Sequence, residues 1–232
     1  RHGLVSFPHV FNGAKDLYIF GGAITAGASV SWFREQFCQA EELQGRETGE
    51  DSHAILERAA TQIPAGSDGV LFQPYLMGER SPVWDPKASG SFVGLTLFHS
   101  RIHLYRAVLE GVTFALRHNI EAGTKGAQSL DPQLIVVGGA SHSDLWMQII
   151  ADVTNFPVYT IVQEVEAALG AALLAAHAVG LVDEAQVHKG WVQLERRAEP
   201  QAQNVALYSR LFADYVALYP ALKPIMHRLQ GA

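Results

Sequence analysis

The pattern of apolar and polar positions predicts short strands in the first hundred residues of the chain. Residues 4–10 and 17–24 are two apolar runs with a turn-rich connection, as in a hairpin. Residues 70–75 and 91–96 are two more runs of strand length. The loop between the second pair, residues 77–86, mixes proline, charge and a tryptophan, which is unusual for a simple connection.

Helical spacing predicts one long central helix that starts at Ser100 and ends near residue 126. Its apolar face consists of Leu104, Val108, Val112 and Leu116. We expect Glu110 and Gly111 to interrupt this helix, with Gly111 permitting close packing.

Four further helices are expected, at residues 26–40, 52–62, 166–176 and 202–220. Ser52 would cap the second of these, and the polar segment 41–50 before it would be exposed. The third is so rich in alanine and glycine that it should lie hard against a sheet or another helix. Pro220 and Pro224 should end the last one.

Residues 134–153 form the stretch around which the chain is organised. Residues 134–137 are apolar and mostly β-branched, which predicts a strand buried on both faces. A glycine turn follows, and from Asp144 apolar residues recur at helical spacing. Another strand is expected at residues 157–162. Strands followed by crossover helices predict an α/β fold with a mixed sheet.

The glycine turn of this stretch is a candidate site for a phosphate compound. Gly138 and Gly139 allow close approach to the backbone, and a helix N-terminus offers N–H groups and a positive dipole end. Either Ser141, which has capping-box spacing to Asp144, or Ser143 would cap that helix. The alternative is an ordinary turn that needs glycine only for packing, and the pattern by itself leaves both open.

Composition and charge exclude several classes of protein. Of 232 residues, 48% are hydrophobic and 17% are charged, which is typical of a globular protein with a core. The net charge of −6 argues against a nucleic-acid surface. The single cysteine, Cys38, forms no internal disulfide, fits a reducing compartment and is expected in the core. Since no apolar run is long enough for a membrane span, we expect a cytoplasmic protein.

A series of segments then identifies a family. In chain order they are residues 22–27, 32–35, 72–86 (FQPYLMGERSPVWDP), 90–96, 106–116, 137–152 and 166–172. They resemble the C-terminal domain of the FGGY carbohydrate kinases, nearer to xylulokinases and gluconokinases than to glycerol kinases. The matching order extends over about residues 4 to 180, which is far more specific than any single motif.

The resemblance implies an actin-like, RNase-H-like fold with a mixed sheet flanked by helices. It also implies that the intact protein transfers phosphate from ATP, with Mg²⁺, to a hydroxyl of a pentulose such as xylulose or of gluconate. Backbone contacts to the nucleotide would come from Gly138, Gly139 and Ala140, and Ser143 would lie by the adenine. Glu79 and Arg80 would face the interdomain cleft and the sugar, or else form a structural salt bridge that holds their loop.

Essential parts of such a kinase are missing from this sequence. The family's two phosphate loops, its catalytic aspartate, most of its metal ligands and the first strand of the C-terminal domain are expected outside residues 1–232. We therefore interpret the chain as the C-terminal nucleotide-binding domain without its sugar-binding partner domain, and as inactive alone. Asp144 and Asp152 cannot replace the base from their helix, and the histidines show no metal-ligand spacing.

Two other functions are alternatives to the kinase. One is an actin-like module that binds a nucleotide or a partner without kinase activity. The other, half of a dinucleotide-binding dehydrogenase, is disfavoured because the turn lacks the G-x-G-x-x-G spacing. A homodimer remains open, and the sequence does not identify the sugar.

Overall fold

The computed structural model describes residues 3–10, 15–125, 131–162, 166–183 and 192–231. These residues contain seven strands and seven α-helices. The strands are β1 (Val5–Pro8), β2 (Leu17–Phe20), β3 (Leu71–Gln73), β4 (Ser91–Val93), β5 (Leu134–Ile135), β6 (Val158–Ile161) and β7 (Leu194–Ala198). The helices are α1 (Ala26–Phe37), α2 (Gln39–Thr48), α3 (Ser52–Thr61), α4 (Arg101–Thr124), α5 (Asp144–Thr154), α6 (Glu166–Ala178) and α7 (Ala202–Leu229).

The described strands form three separate sheets. β1 and β2 are an antiparallel hairpin, and β3 and β4 are a second antiparallel pair. In the third sheet the central strand, β6, is parallel to β5 and antiparallel to β7. The predicted mixed sheet is confirmed, although its strand β7 was not predicted.

Helix α4 is the centre of the main core and packs against β3, α1, α3 and α5. Ser100 caps it, and the side chain of His103 completes a capping box. The predicted interruption at Glu110 and Gly111 is wrong, because the helix is continuous over 24 residues. Close packing at Gly111 is confirmed: a Cβ atom there would lie 2.2 Å from the carbonyl oxygen of Phe72.

Glu110 is tolerated inside α4 because four donors satisfy its buried carboxylate. It accepts from the backbone N–H of Gly66 at 2.9 Å, Ser67 Oγ at 2.9 Å, Arg106 Nε at 2.9 Å and Tyr208 Oη at 2.7 Å. Burial raises the pKa of Glu110, and the Arg106 charge and these hydrogen bonds act against that rise. The network ties α4 to α7 and to the turn before β3.

Helix α7 continues through Pro220 and Pro224 for 28 residues, so its predicted end at these prolines is wrong. Tyr219 Oη donates to Asp85 Oδ2 at 2.6 Å, and His227 Nε2 lies 2.6 Å from the same oxygen. These tertiary contacts hold both sides of the prolines and offset part of the local cost of about 3 kcal/mol for each interior proline.

The segment 41–50 was expected to be an exposed polar stretch, but most of it belongs to α2. Its Glu41 is buried and accepts a hydrogen bond from Arg101, which anchors the segment on α4. Asp51 rather than Ser52 caps α3, because its side chain accepts from the backbone N–H of His53 at 3.0 Å. Cys38, at the break between α1 and α2, is fully buried, as expected.

Two elements are less buried than predicted. Strand β5 is only two residues long, and Ile135 and Val137 are 48% and 46% exposed, so burial on both faces is wrong. Leu134 and Val136 pack on the small core around Met147, whereas the opposite side borders open space. Helix α6 is mostly exposed in this chain, because the described residues provide little surface to cover it.

None of the described helices is long and apolar enough to cross a membrane.

Candidate functional site

A cleft of about 1090 Å³ separates the β1–β2 hairpin from β5. Helix α4 forms its floor with Val112, Leu116 and Asn119. Phe20 and the glycines after it line one wall, and residues 134–137 line the other. Clefts of this size, apolar with a few convergent polar groups, are the usual place for a small-molecule ligand.

The glycine turn lies at the rim of this cleft, where Gly139, Ala140 and Ser143 line it. Gly138 has φ +78° and ψ −162°, a conformation that favours glycine, and it redirects the chain out of β5. A Cβ atom added at Gly138 or Gly139 would meet no other atom within 4 Å. The space above both glycines is therefore open to a ligand.

Ser143, and not Ser141, caps α5. Its Oγ accepts from the backbone N–H of Trp146 at 3.1 Å. Ser141 instead donates from Oγ to the carbonyl oxygen of Gly138 at 2.7 Å, which closes the 3-10 turn Gly139–His142. The capping-box spacing of Ser141 was misleading because that turn separates it from the helix.

Two charged residues hold the turn, and sequence reasoning identified neither. Glu57 of α3 accepts through Oε1 from Ser143 Oγ at 3.0 Å and from the backbone N–H of Leu145 at 2.7 Å. Arg197 of β7 donates to the carbonyl oxygen of Ser141 at 2.9 Å and to Asp144 Oδ1 at 2.5 Å. No local pattern could reveal these partners, since they lie more than fifty residues from the turn.

Negative charge accumulates on the α3 side of the cleft, where Asp51 and Glu57 line it. Burial, and after it the charge of Glu57, raises the pKa of the neighbouring Tyr105 to about 12. In the first turn of α5 the N–H groups of Leu145 and Trp146 are already bonded to Glu57 Oε1 and Ser143 Oγ, so two of the donors expected for a phosphate at this helix start are taken.

The structure assigns different positions to Glu79 and Arg80. Glu79 is buried, and its Oε1 accepts from the backbone N–H groups of Ile24 at 3.1 Å and of Arg80 at 2.7 Å. Burial raises the pKa of Glu79. The side chain of Arg80 is exposed and lines the cleft, with its guanidinium 6.0 Å from the centre of the Phe20 ring. Glu79 thus connects the loop to residue 24, and Arg80 is the member of the pair that can meet a ligand.

Asp85 anchors the same loop to α7 through Tyr219 and His227. Burial disfavours its charged form, but the hydrogen bonds from these two residues and from the Lys87 backbone outweigh burial and lower the pKa of Asp85 to about 2.

The acidic residues of α5 have structural partners. Asp152 is buried and accepts hydrogen bonds from Gln148, from the backbone of Gln201 and from Asn204. Asp144 is paired with Arg197. Within the described ranges no group of three or more His, Cys, Asp or Glu side chains could hold a metal ion.

The family pattern and the similar proteins all indicate one family. The pattern of the FGGY family of carbohydrate kinases, C-terminal domain, matches residues 5–179. A gluconokinase of Bacillus licheniformis is 32% identical over 207 residues, and a xylulose kinase of Bacillus subtilis (strain 168) is 34% identical over 226 residues. These alignments cover 89% and 96% of this chain but only 40% and 43% of the two relatives.

Solved structures agree with the sequence comparison. A ligand-bound xylulose kinase from Lactobacillus acidophilus superposes with a TM-score of 0.82 at 29% identity, over 98% of this chain and 44% of that one. The likeness confirms the predicted actin-like α/β fold.

Proposed function

The chain belongs to the FGGY family of carbohydrate kinases, and we propose that it supplies the nucleotide-binding half of an ATP-dependent sugar kinase. The whole protein would transfer the terminal phosphate of ATP to a hydroxyl of a pentulose such as xylulose, or of gluconate. The names of the similar proteins, xylulose kinase and gluconokinase, support these two substrates.

The observation that carries the proposal is the open space above the glycine turn at the rim of the cleft. A nucleotide fits there because Gly139 presents bare backbone, and nothing occupies the volume that a side chain at this position would take. Ala140 and Ser143 continue the same surface. Bound ATP would supply an activated phosphoryl group, and the residues of this chain would hold and orient its nucleoside end.

The exposed Arg80 supports an interdomain position for its loop. Because its guanidinium lies at the cleft, it can pair with an anionic group of a substrate. We propose no catalytic base within this chain, since Asp144 and Asp152 are committed to structural partners. The ligands of Mg²⁺ would come from elsewhere in the protein.

We also propose that the inner part of the cleft is filled by a strand from the rest of the protein. Among the described strands, β2 and β5 do not pair with each other, and β5 pairs only with β6. Ile135, Val137 and Leu116 are exposed around this gap. Buried Asn119 Oδ1, which has no hydrogen-bond partner among the described residues, also lies there. A strand in this position would cover the apolar groups and pair with the free edge.

Substitution of Gly139 by valine in the full-length protein tests the nucleotide site. A branched side chain would fill the space above the turn, and we expect at least a tenfold weaker affinity for ATP with unchanged thermal stability. Isothermal titration with ATP measures this, and Ala202→Val, which adds similar bulk at an exposed position of α7, is the control. Equal ATP affinity of Gly139→Val and the parent protein would contradict the assignment.

A further inference from the structure

Glu57 fixes the direction in which the hydroxyl group of Ser143 points. The hydroxyl proton of Ser143 is donated to Glu57 Oε1 at 3.0 Å, and its oxygen accepts from the N–H of Trp146 at 3.1 Å. A serine hydroxyl has one proton and two lone pairs. Toward the cleft Ser143 can therefore present only its remaining lone pair.

Toward the cleft the carboxylate of Glu57, like Ser143, can only accept hydrogen bonds. Its Oε1 carries both hydrogen bonds that reach α5, and Glu57 itself is half-buried on the wall of the cleft. Its second oxygen, Oε2, forms no hydrogen bond with the described part of the chain. Ser143 and Glu57 together make this end of the cleft a surface that accepts hydrogen bonds and repels phosphate.

We propose that Glu57 determines both specificity and orientation at the nucleotide site, by accepting a hydrogen bond from the nucleoside through Oε2. This inference rests on the proposed nucleotide binding at the glycine turn. The nucleoside places an N–H or O–H donor at Glu57 Oε2, beside Ser143. Its phosphates extend away from the carboxylate, past Gly139 and toward Arg80.

Two groups of a nucleotide carry the required donors, the amino group of the base and the hydroxyls of the ribose. Purine riboside triphosphate tests the first, because a hydrogen atom replaces the amino group of adenine and no new donor is added. The 2′-deoxy and 3′-deoxy forms of ATP test the second. Hydrogen bonds to a charged group are strong, so the full-length protein should bind ATP about tenfold or more tightly than the analogue that lacks the recognised donor.

The variant Glu57→Gln separates recognition from structure. Its amide oxygen can still accept from Ser143 and from the N–H of Leu145, so the cap of α5 is kept. Its NH₂ group replaces Oε2, which turns an acceptor into a donor. We expect the preference for ATP over the critical analogue to fall by about tenfold, with thermal stability unchanged. Glu47→Gln, at an exposed position of α2, should leave that preference as it is.

The outcomes distinguish this inference from the proposed function. If the parent protein binds all the analogues as tightly as ATP, or if Glu57→Gln weakens all nucleotides equally, Glu57 has no recognition role and the inference is overturned. The proposed nucleotide site stands in both cases as long as Gly139→Val weakens ATP binding. If Gly139→Val has no effect, the proposed function fails, and this inference fails with it.

Discussion

The two sides of helix α4 are packed differently. On the side toward β3 and α7, Gly111 allows the carbonyl oxygen of Phe72 to approach, and Glu110 has four hydrogen-bond donors. On the side toward the cleft, Leu116 is 37% exposed and Asn119 Oδ1 is buried without a partner in the described part of the chain. A buried acceptor without a partner costs about 1–3 kcal/mol.

The difference indicates which part of the protein supplies the groups that contact each side of α4. Every group that Glu110 requires comes from residues 66–208 of this chain. The groups that Leu116 and Asn119 require are absent from the described residues, and we propose that another part of the protein provides them. The cleft side is also the side that carries the candidate nucleotide site, so a single surface would serve both domain assembly and ligand binding.

The largest effect is expected on the packed side. Glu110→Ala would leave the charge of Arg106 buried without its partner, and loss of one member of a buried ion pair costs about 3–5 kcal/mol. Urea unfolding of the full-length protein should show a free energy of unfolding lower by that amount. A loss below about 1 kcal/mol would mean that the network contributes little and that the two sides of α4 are more alike than described.

A smaller effect is expected on the cleft side of α4. If a strand covers Leu116 in the full-length protein, Leu116→Ala should cost about 2–3 kcal/mol, as for a buried leucine. If Leu116 stays as exposed as it is in this chain, the loss should remain under about 1 kcal/mol. The same unfolding measurement separates the two results, and the small loss would contradict the proposed strand.

The smallest effect concerns acid stability on the packed side. Asp85 has a folded-state pKa of about 2 against an ordinary value of 3.8, so its contribution to stability is present above pH 4 and is lost as the pH falls toward 2. Asp85→Asn should remove this part of the pH dependence, roughly 1 kcal/mol between pH 4 and pH 2. Thermal melting at several pH values measures it. An unchanged slope in the variant would show that Asp85 does not link the loop to α7 in solution.

The sequence predicted the packed side better than the cleft. The regular spacing of Leu104 and Val108 predicted the existence and extent of α4, and the small size of Gly111 predicted its close packing, although the predicted interruption at Glu110 and Gly111 was wrong. Strand β7 was missed because its three central residues, Glu195, Arg196 and Arg197, are charged, so it has no alternation of apolar and polar positions.

The continuation of α7 through its prolines and the hydrogen bonds of Glu57 could not be predicted for another reason. Both depend on contacts between residues far apart in the chain, such as Asp85 with His227 and Glu57 with Ser143. Such contacts leave no mark on local periodicity.

Amide hydrogen exchange of the full-length protein, with and without ADP, tests whether the glycine turn binds a nucleotide. We expect slower exchange at the backbone amides of residues 139–143 when ADP is bound, and no change along α7 beyond residue 215. The contradicting result is saturation of the protein with ADP while the amides of residues 139–143 exchange at the same rate as in the free protein.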